Sequence, residues 1–355
     1  MSVEARYERI LRALDCPWVA SLFVAGVAFL AWGLSLGLGF FLDDLHNIER
    51  AIAAPLSFEG LTQAFTVFDP ASAGVWCMER AGVHFFRPLF VLSLKVDHAI
   101  WGATAFGYHL HSLALHALNA VLVLWLLRRV GFAAPLALLA ACLFAAFPHH
   151  GVALLWISGR TEILLSTFML ASLVLHARTL VTGPKLLLRL GVLVFAAAAF
   201  LTKEGAVVLP GYLVLVELLM RRRGLGADQA SPPWQAWALG VMGRLAPVAV
   251  LVLAYLIYRF GVMGLGEMPP QPYFVPPTDP NFLPWASTKT LYYYFAWLFS
   301  VPIAPVAPVG LLLRYPWAIG IMAILTVAGW AFVLRRLRHF EGRWVFLLWT
   351  AASLV

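Results

Sequence analysis

The stretch VASLFVAGVAFLAWGLSLGLGFFLDDLHNIER (Val19–Arg50) decides the fold. An uncharged apolar run from Val19 to Phe41 meets two adjacent carboxylates, Asp43 and Asp44. A run of that kind is long enough to cross the hydrocarbon core of a bilayer as a helix. It exceeds a signal-peptide core and lacks a small-residue cleavage site, so it reads as a retained first span. Two more charged clusters interrupt apolar sequence in the same way. They are Arg160 and Glu162 in WISGRTEIL, and Lys203 and Glu204 in FLTKEGAVV. Between the clusters lie basic flanks: Arg6, Arg9 and Arg12, then Arg128 and Arg129, then Arg178, Lys185 and Arg189, then Arg221 to Arg223. Short Lys- and Arg-rich loops stay on the cytoplasmic side. With all four flanks inside, the three clusters all face outward at one membrane surface, the layout of an active site.

Composition supports the membrane reading. The chain has 355 residues, of which 62% are hydrophobic and 12% charged, with a mean hydropathy of +0.85. A soluble domain carries roughly 45–50% apolar and about 25% charged residues. The expected fold class is therefore all-α, a polytopic transmembrane helical bundle, because in lipid each spanning backbone must satisfy its own hydrogen bonds. The net charge of +8 is dispersed among span ends and forms no basic stripe with interleaved aromatics, so no nucleic-acid partner is expected. Cys16, Cys77 and Cys142 have neither metal-ligand spacing nor a disulfide framework. Only Cys77 is expected to face outward.

Along the chain, a long outer segment over 43–108 follows the first span, too polar to cross. Within it, RPLFVLSLKVDHAIWG has apolar positions at helical spacing broken by Lys95 and Asp97, which predicts an amphipathic helix on the membrane surface. The second span is expected over Leu110–Leu127. From Arg129 to Arg178 and from Arg189 to Arg221, basic ends and a polar middle predict two hairpins. The second stretch would be roughly 45–50 Å as one helix against a core of about 30 Å, and Gly205 and Pro210 supply its turn. Pro148 and Gly151 do the same in the first. Further spans are expected over Trp237–Tyr258 and Trp317–Leu334, separated by a Pro-rich outer loop at 261–288. The aromatic segment Thr290–Val301 is read as an interfacial belt, either spanning or re-entrant. The expected organisation is one multi-pass domain over 1–355. The chain stops at Val355 within an apolar run, so a C-terminal continuation is expected.

Carboxylates at membrane depth are costly and mark function by default. Asp43 and Asp44 would otherwise be helix caps. Either can act as general base on a hydroxyl or hold a divalent ion. Glu162 is the third candidate acid. Arg160 and Lys203 suit a phosphate, as does Arg87 in HFFRPLF. Glu204 and His150 are candidates for supporting roles. Arg160–Glu162 and Lys203–Glu204 would otherwise be local ion pairs, worth little at a surface. The histidines His109, His111 and His116 read as helix-packing residues, and adjacent His149 and His150 point in different directions on a helix. No Walker loop or GxGxxG motif is present, so no nucleotide cofactor is expected.

The ordered series FLDDLHNIERAI, FRPLFVLSLKVDHAIWG, YHLHSLALHALNAVL, FPHHGVALLWISGRTEILL and FLTKEGAVVLPGYLVL resembles the GT-C superfamily of polytopic glycosyltransferases. It is most similar to the branch of protein O-mannosyltransferases and transmembrane proteins with C-terminal tetratricopeptide repeats. The likeness covers the first two-thirds of the chain. It implies an inverting glycosyltransferase that takes a sugar from a polyprenyl phosphate and passes it to a protein, lipid or glycan acceptor at the outer face. It implies Asp43 as catalytic base with Asp44 beside it, Glu162 as a second acid, and Arg87, Arg160 and Lys203 on the donor phosphate. A divalent cation, magnesium or manganese, is a candidate on Asp43, Asp44 or Glu162. The expected location is a bacterial inner membrane, in contact with membrane lipid, with the active site facing the periplasm and a role in the cell envelope. One departure stands out: the family's His-Pro start and following Glu are replaced by Phe147 and Val152. The alternative reading is a lipid-linked sugar flippase or another transporter, though internal repeats and midplane charges are not evident.

Overall fold

The computed structural model describes residues 16–64, 66–67, 83–225, 233–263, 280, 282–299 and 316–337. Those of Met1–Phe65 and Phe85–Val262 form one compact unit, and those of Thr66–His84 and Met263–Val355 a second.

The first unit is a helical bundle. α1 (Pro17–Trp32) starts with proline, tolerated at a first turn whose N–H has no helical partner, and continues as a 3₁₀ turn over Gly33–Gly37. Three helices fill the segment after it: α2 (Asp44–Ala53), α3 (Phe58–Gln63) and α4 (Pro88–Trp101). α5 (Ala105–Arg129) returns to the arginine-rich end and starts earlier than expected. α6 (Ala134–Ala146) breaks at Phe147–Pro148 into a 3₁₀ turn and the short α7 (Gly151–Leu155), with a bend of 41°. α8 (Arg160–Thr182) follows, preceded by a 3₁₀ turn over Ile157–Gly159. α9 (Leu186–Phe200), a 3₁₀ tip at Glu204–Val208 and α10 (Leu209–Arg222) make the second expected hairpin. α11 (Trp234–Ile257) ends in a π turn over Tyr258–Val262.

Four of these segments are long and apolar enough to cross a membrane: Pro17–Gly37, Ala105–Arg129, Ile157–Thr182 and Trp234–Val262. The bent α6–α7 pair also qualifies. Their outer surfaces expose Leu22, Leu30, Leu118 and Val250, as helices bathed in lipid do. The chain is a multi-pass membrane protein. The arms of the second hairpin are short: the 15 residues of α9 reach about 22 Å.

Lipid offers no hydrophobic drive to bring helices together, so close packing and polar contacts hold them. Ala20, Val24 and Ala28 of α1 face Ala117, Ala120 and Leu124 of α5 and Ala137, Ala141 and Ala145 of α6. Each four-residue spacing sets its small side chains on one helix face, letting the backbones approach. Trp32 Nε1 donates to the Ala145 carbonyl at 2.9 Å, and His116 Nε2 lies 2.9 Å from the same oxygen. That carbonyl is in the last turn of α6, where helical donors run out.

The second unit contains an antiparallel backbone pairing, Thr66↔His84 and Val67↔Val83, and two packed helices. These are α12 (Phe282–Phe299) and α13 (Pro316–Leu337). α12 absorbs the last part of the expected Pro-rich loop, the π turn of the first unit takes its start, and residues 264–279, with Arg6, Arg9, Arg12 and Cys77, lie outside the described residues.

The three charged clusters share one end of the first unit. Asp44 bonds the Ser158 backbone and Lys203 pairs with Glu162. Arg87 reaches Glu204, and Leu89 N donates to the Leu201 carbonyl at 3.0 Å. At the other end Arg221 lies over Trp234 and Trp237, and Arg223 donates to the Val130 carbonyl. Single cysteines at Glu162 and Glu204, in a chain freed of its own three, should therefore react with an impermeant thiol reagent from the same side. One at Arg222 should react only from the other. Labelling of 162 and 204 from opposite sides would break the hairpin reading.

Candidate functional site

The site is built around the 156–162 segment, whose side chains reach several separate parts of the bundle. Trp156 Nε1 donates to Asp43 Oδ1 at 2.9 Å. The Ser158 backbone N–H and hydroxyl both donate to Asp44 Oδ1 at 2.8 Å, and Asn47 Nδ2 donates to the Ser158 hydroxyl at 2.8 Å. Arg160 reaches α4 and α5, and Glu162 reaches the hairpin tip. Gly159 is required by the turn, since a Cβ there would sit 3.0 Å from the Val152 carbonyl and the Ala153 Cα.

The two adjacent aspartates differ in their surroundings. Asp44 is completely buried. Its Oδ2 accepts from the Phe41 N–H at 2.9 Å and from the more distant Ile157 N–H at 3.4 Å, alongside the two bonds from Ser158. Its acceptor capacity is filled, and it fastens the start of α2 to the turn before α8. Asp43, at the N-terminal boundary of α2, does not spend its side chain on capping. Among the described residues its carboxylate accepts one hydrogen bond, from Trp156, and it keeps 8% exposure. Leu42, just before it, has φ +52°. A branched side chain in this left-handed region is strained and persists only where surrounding contacts enforce it. Those contacts are the bond of Asp43 to Trp156 and those of Asp44 to Ser158 and, across Leu42, to the Phe41 N–H.

Arg160 corrects an expectation. Its side chain is fully buried rather than open to a phosphate. Nε donates to Ser112 Oγ at 2.9 Å, a terminal nitrogen to the Tyr108 carbonyl at 2.6 Å, and the other pairs with Asp97. Asp97 also meets His111 Nδ1 at 2.7 Å. The charge of Asp97 therefore serves the interior. The helix expected within 87–102 exists as α4, but Asp97 points into the bundle, while Lys95 bonds the Ile52 carbonyl at 3.0 Å.

The remaining charges form an accessible group. Lys203 pairs with Glu162, and Arg87 lies 3.5 Å from Glu204 and over the Phe85 ring at 4.2 Å. The Glu162 and Glu204 side chains are about half exposed. Burial pushes the Glu204 carboxyl up, but Arg87, its own backbone N–H, Lys203 and Arg259 outweigh that and leave it below its ordinary value. Beside this group, Phe86 packs against Tyr255 and Tyr258, with Phe58 and Phe200 adjoining.

Two expected roles are not assembled. His150 packs among His116, Phe144 and Phe147. Asp43, Asp44 and Glu162 are directed to three different partners, and among the described residues no three His, Cys, Asp or Glu side chains converge. His109 and His116 meet the carbonyls of Gly39 and Ala145, consistent with helix packing.

No family model matches the chain, and no solved structure does. Curated relatives do. The chain is 33% identical over 194 residues to protein O-mannosyl-transferase Tmtc2 of Drosophila melanogaster, covering 52% of this chain and 20% of that one. It is 28% identical over 172 residues to human protein O-mannosyl-transferase TMTC1, covering 47% and 19%. It is 29% identical over 163 residues to the mouse TMTC3 protein, covering 45% and 17%. The resemblance is to the TMTC group of protein O-mannosyl-transferases. The matched part spans about a fifth of the length of these relatives.

Two outcomes follow for stability. Arg160→Ala or Asp97→Asn should cost about 3–5 kcal/mol, because each leaves its partner buried and uncompensated, whereas the double change to Met and Leu should recover much of that loss. Denaturation in detergent measures this, and a single variant of wild-type stability would contradict the burial. Separately, the depressed Glu204 carboxyl stabilises the fold above its unfolded value, and that contribution is lost as pH falls through the folded one. Arg87→Gln should reduce this acid-side loss, and high salt should reduce it in the native chain. An identical acid limb in both proteins would remove the pairing.

Proposed function

We propose that the chain transfers a sugar from a polyprenyl-phosphate carrier to a hydroxyl acceptor at the end where the clusters meet, and that this end faces the periplasm or lumen. The observation that carries the reading is the division of labour between the two aspartates. Asp44 is saturated with donors, while Asp43 keeps acceptor capacity beside a rigid partner, Trp156. A general base needs a free lone pair within reach of the proton that it takes. The names of the curated relatives, protein O-mannosyl-transferases, supply the sugar class and suggest a protein acceptor.

In this reading Asp43 removes the proton of the acceptor hydroxyl. The acceptor oxygen bonds to the anomeric carbon as the anomeric carbon–oxygen bond to phosphate breaks. The lipid phosphate leaves with the electron pair, and the anomeric configuration inverts. Arg87 and Lys203 stabilise its charge, with Glu204 and Glu162 holding the two cations in place before the donor arrives. Preorganised cations aimed at developing charge are an effective source of rate. Arg160, sealed against Asp97, acts as a positioning residue: it fixes the 156–162 segment that presents Trp156 to Asp43 and Glu162 to Lys203. The Phe86–Tyr255–Tyr258 group offers flat apolar surface beside the cations, suited to the first isoprene units or a sugar face.

Asp43→Asn keeps the shape of the side chain and removes the proton acceptor. Transfer from a polyprenyl monophosphate sugar should fall by roughly 10²–10⁴-fold while insertion and donor binding persist. Asp44→Asn should instead lower stability, since it weakens the acceptor of the Ser158 and Phe41 bonds. Near wild-type transfer by folded Asp43→Asn protein would reject the base assignment.

A further inference from the structure

At the arginine-rich end, away from the proposed catalytic cluster, three helices enclose a second polar feature. Glu217 of α10 is buried, with 2% exposure. His176 Nε2 of α8 lies 3.0 Å from its Oε1, Arg244 Nε of α11 donates to the same oxygen at 2.9 Å, and a terminal nitrogen of Arg244 pairs with Oε2. Ionisable groups inside a membrane bundle pair with one another and mark functional positions. Next to the triad is a cavity of about 230 Å³ lined by His176 and Thr179 of α8, Arg189 of α9 and Gly240, Gly243 and Arg244 of α11.

The shape of the cavity comes from sequence. Gly240 and Gly243 remove two side chains from one face of α11. A Cβ at Gly243 would meet nothing within 4 Å, and one at Gly240 would lie 3.1 Å from a terminal nitrogen of Arg244. The guanidinium therefore lies across the notch while still holding Glu217. Pro247 also lines the cavity, and it has no N–H to give the Gly243 carbonyl its helical bond. The wall thus carries two guanidinium groups, an imidazole, a hydroxyl and a main-chain acceptor. The charges are Arg189 and Arg244 against Glu217, which leaves a surplus of one positive charge with His176 neutral. The depth is that of a headgroup: Glu217 is one turn from Arg221–Arg223, and Arg189 follows Lys185. Next in sequence to the lining residues Arg189, Gly240 and Gly243, the side chains of Leu190, Leu239 and Met242 are exposed and apolar, a surface for acyl chains.

We propose that this cavity binds the phosphate of an anionic phospholipid from the leaflet at the arginine-rich end. Arg189 and Arg244 take the phosphate oxygens, and the acyl chains follow the exposed faces of α9 and α11. Basic pockets between helices near the cytoplasmic surface suit such headgroups. Bound there, the lipid bridges α9 and α11, the short hairpin arm and the span beside it. The site is separate from the sugar-transfer reading and stands without it.

The test uses the full chain purified in detergent and titrated with phosphatidylglycerol, with phosphatidylcholine and inorganic phosphate as parallel probes, following thermal stability. Phosphatidylglycerol should raise Tm saturably, and the other two should not. Arg189→Gln, an exposed position outside the triad, should weaken the response about tenfold, the loss expected of one charge-assisted bond to phosphate. Gly243→Leu should abolish the response by filling the notch, and this variant leaves Glu217 paired where Arg244→Ala would not. Unchanged phosphatidylglycerol affinity in both variants would overturn the site. An equal response to phosphatidylcholine would remove the charge argument, and saturation by inorganic phosphate alone would remove the lipid assignment.

Discussion

The buried pair of Asp97 and Arg160 is the constraint on which the rest of this end depends. A guanidinium with no exposed surface is tolerable only with its charge compensated and its donors satisfied. Asp97, Ser112 and the Tyr108 carbonyl do this, and they come from two helices that precede α8 by many residues. The pair therefore fixes α4 against α5 and both against the start of α8. Trp156, Ser158 and Glu162 are carried on the same short segment, so anchoring Arg160 sets where Asp43, Asp44 and Lys203 find their partners.

Much of the bundle was legible in the sequence because lipid permits few solutions. Apolar runs bounded by arginines could only be spans or hairpin arms, and the polar tips could only gather at one end. The interior of that end was less legible. Asp97 sits in a helix whose apolar spacing suggested a surface-lying element, and Arg160 stands two residues from Glu162, an obvious local partner. The actual partner is 63 positions away, and only tertiary contact reveals it. A signal was nonetheless available: an arginine opening a long apolar helix needs a buried counter-charge, and Asp97 is an acid within an otherwise apolar helix. The difference between Asp43 and Asp44 was not readable at all, since adjacent identical residues carry no information about which one faces the donors of a distant turn.

The corrections change how the site would work. With Arg160 withdrawn into the interior, Arg87 and Lys203 remain of the three cations expected at the donor phosphate, each already held by a half-exposed glutamate. Such pairs are weak at a surface, so a phosphate can replace the glutamate without a large penalty, and the cations are in position beforehand. The acids diverge rather than converge, which favours proton removal and charge stabilisation by separate side chains. The opposite end is organised on the same physical rule, a buried carboxylate held by an arginine and a histidine, beside a cavity that Arg189 and Arg244 also line.

Mass spectrometry of lipid extracted from the purified full chain tests the central claim most directly. The account predicts a polyprenyl monophosphate bearing a hexose, retained by the native protein and depleted when Arg87 and Lys203 are both replaced by Gln. Recovery of ordinary phospholipids alone, or equal retention of the polyprenyl species by the doubly substituted protein, would contradict it.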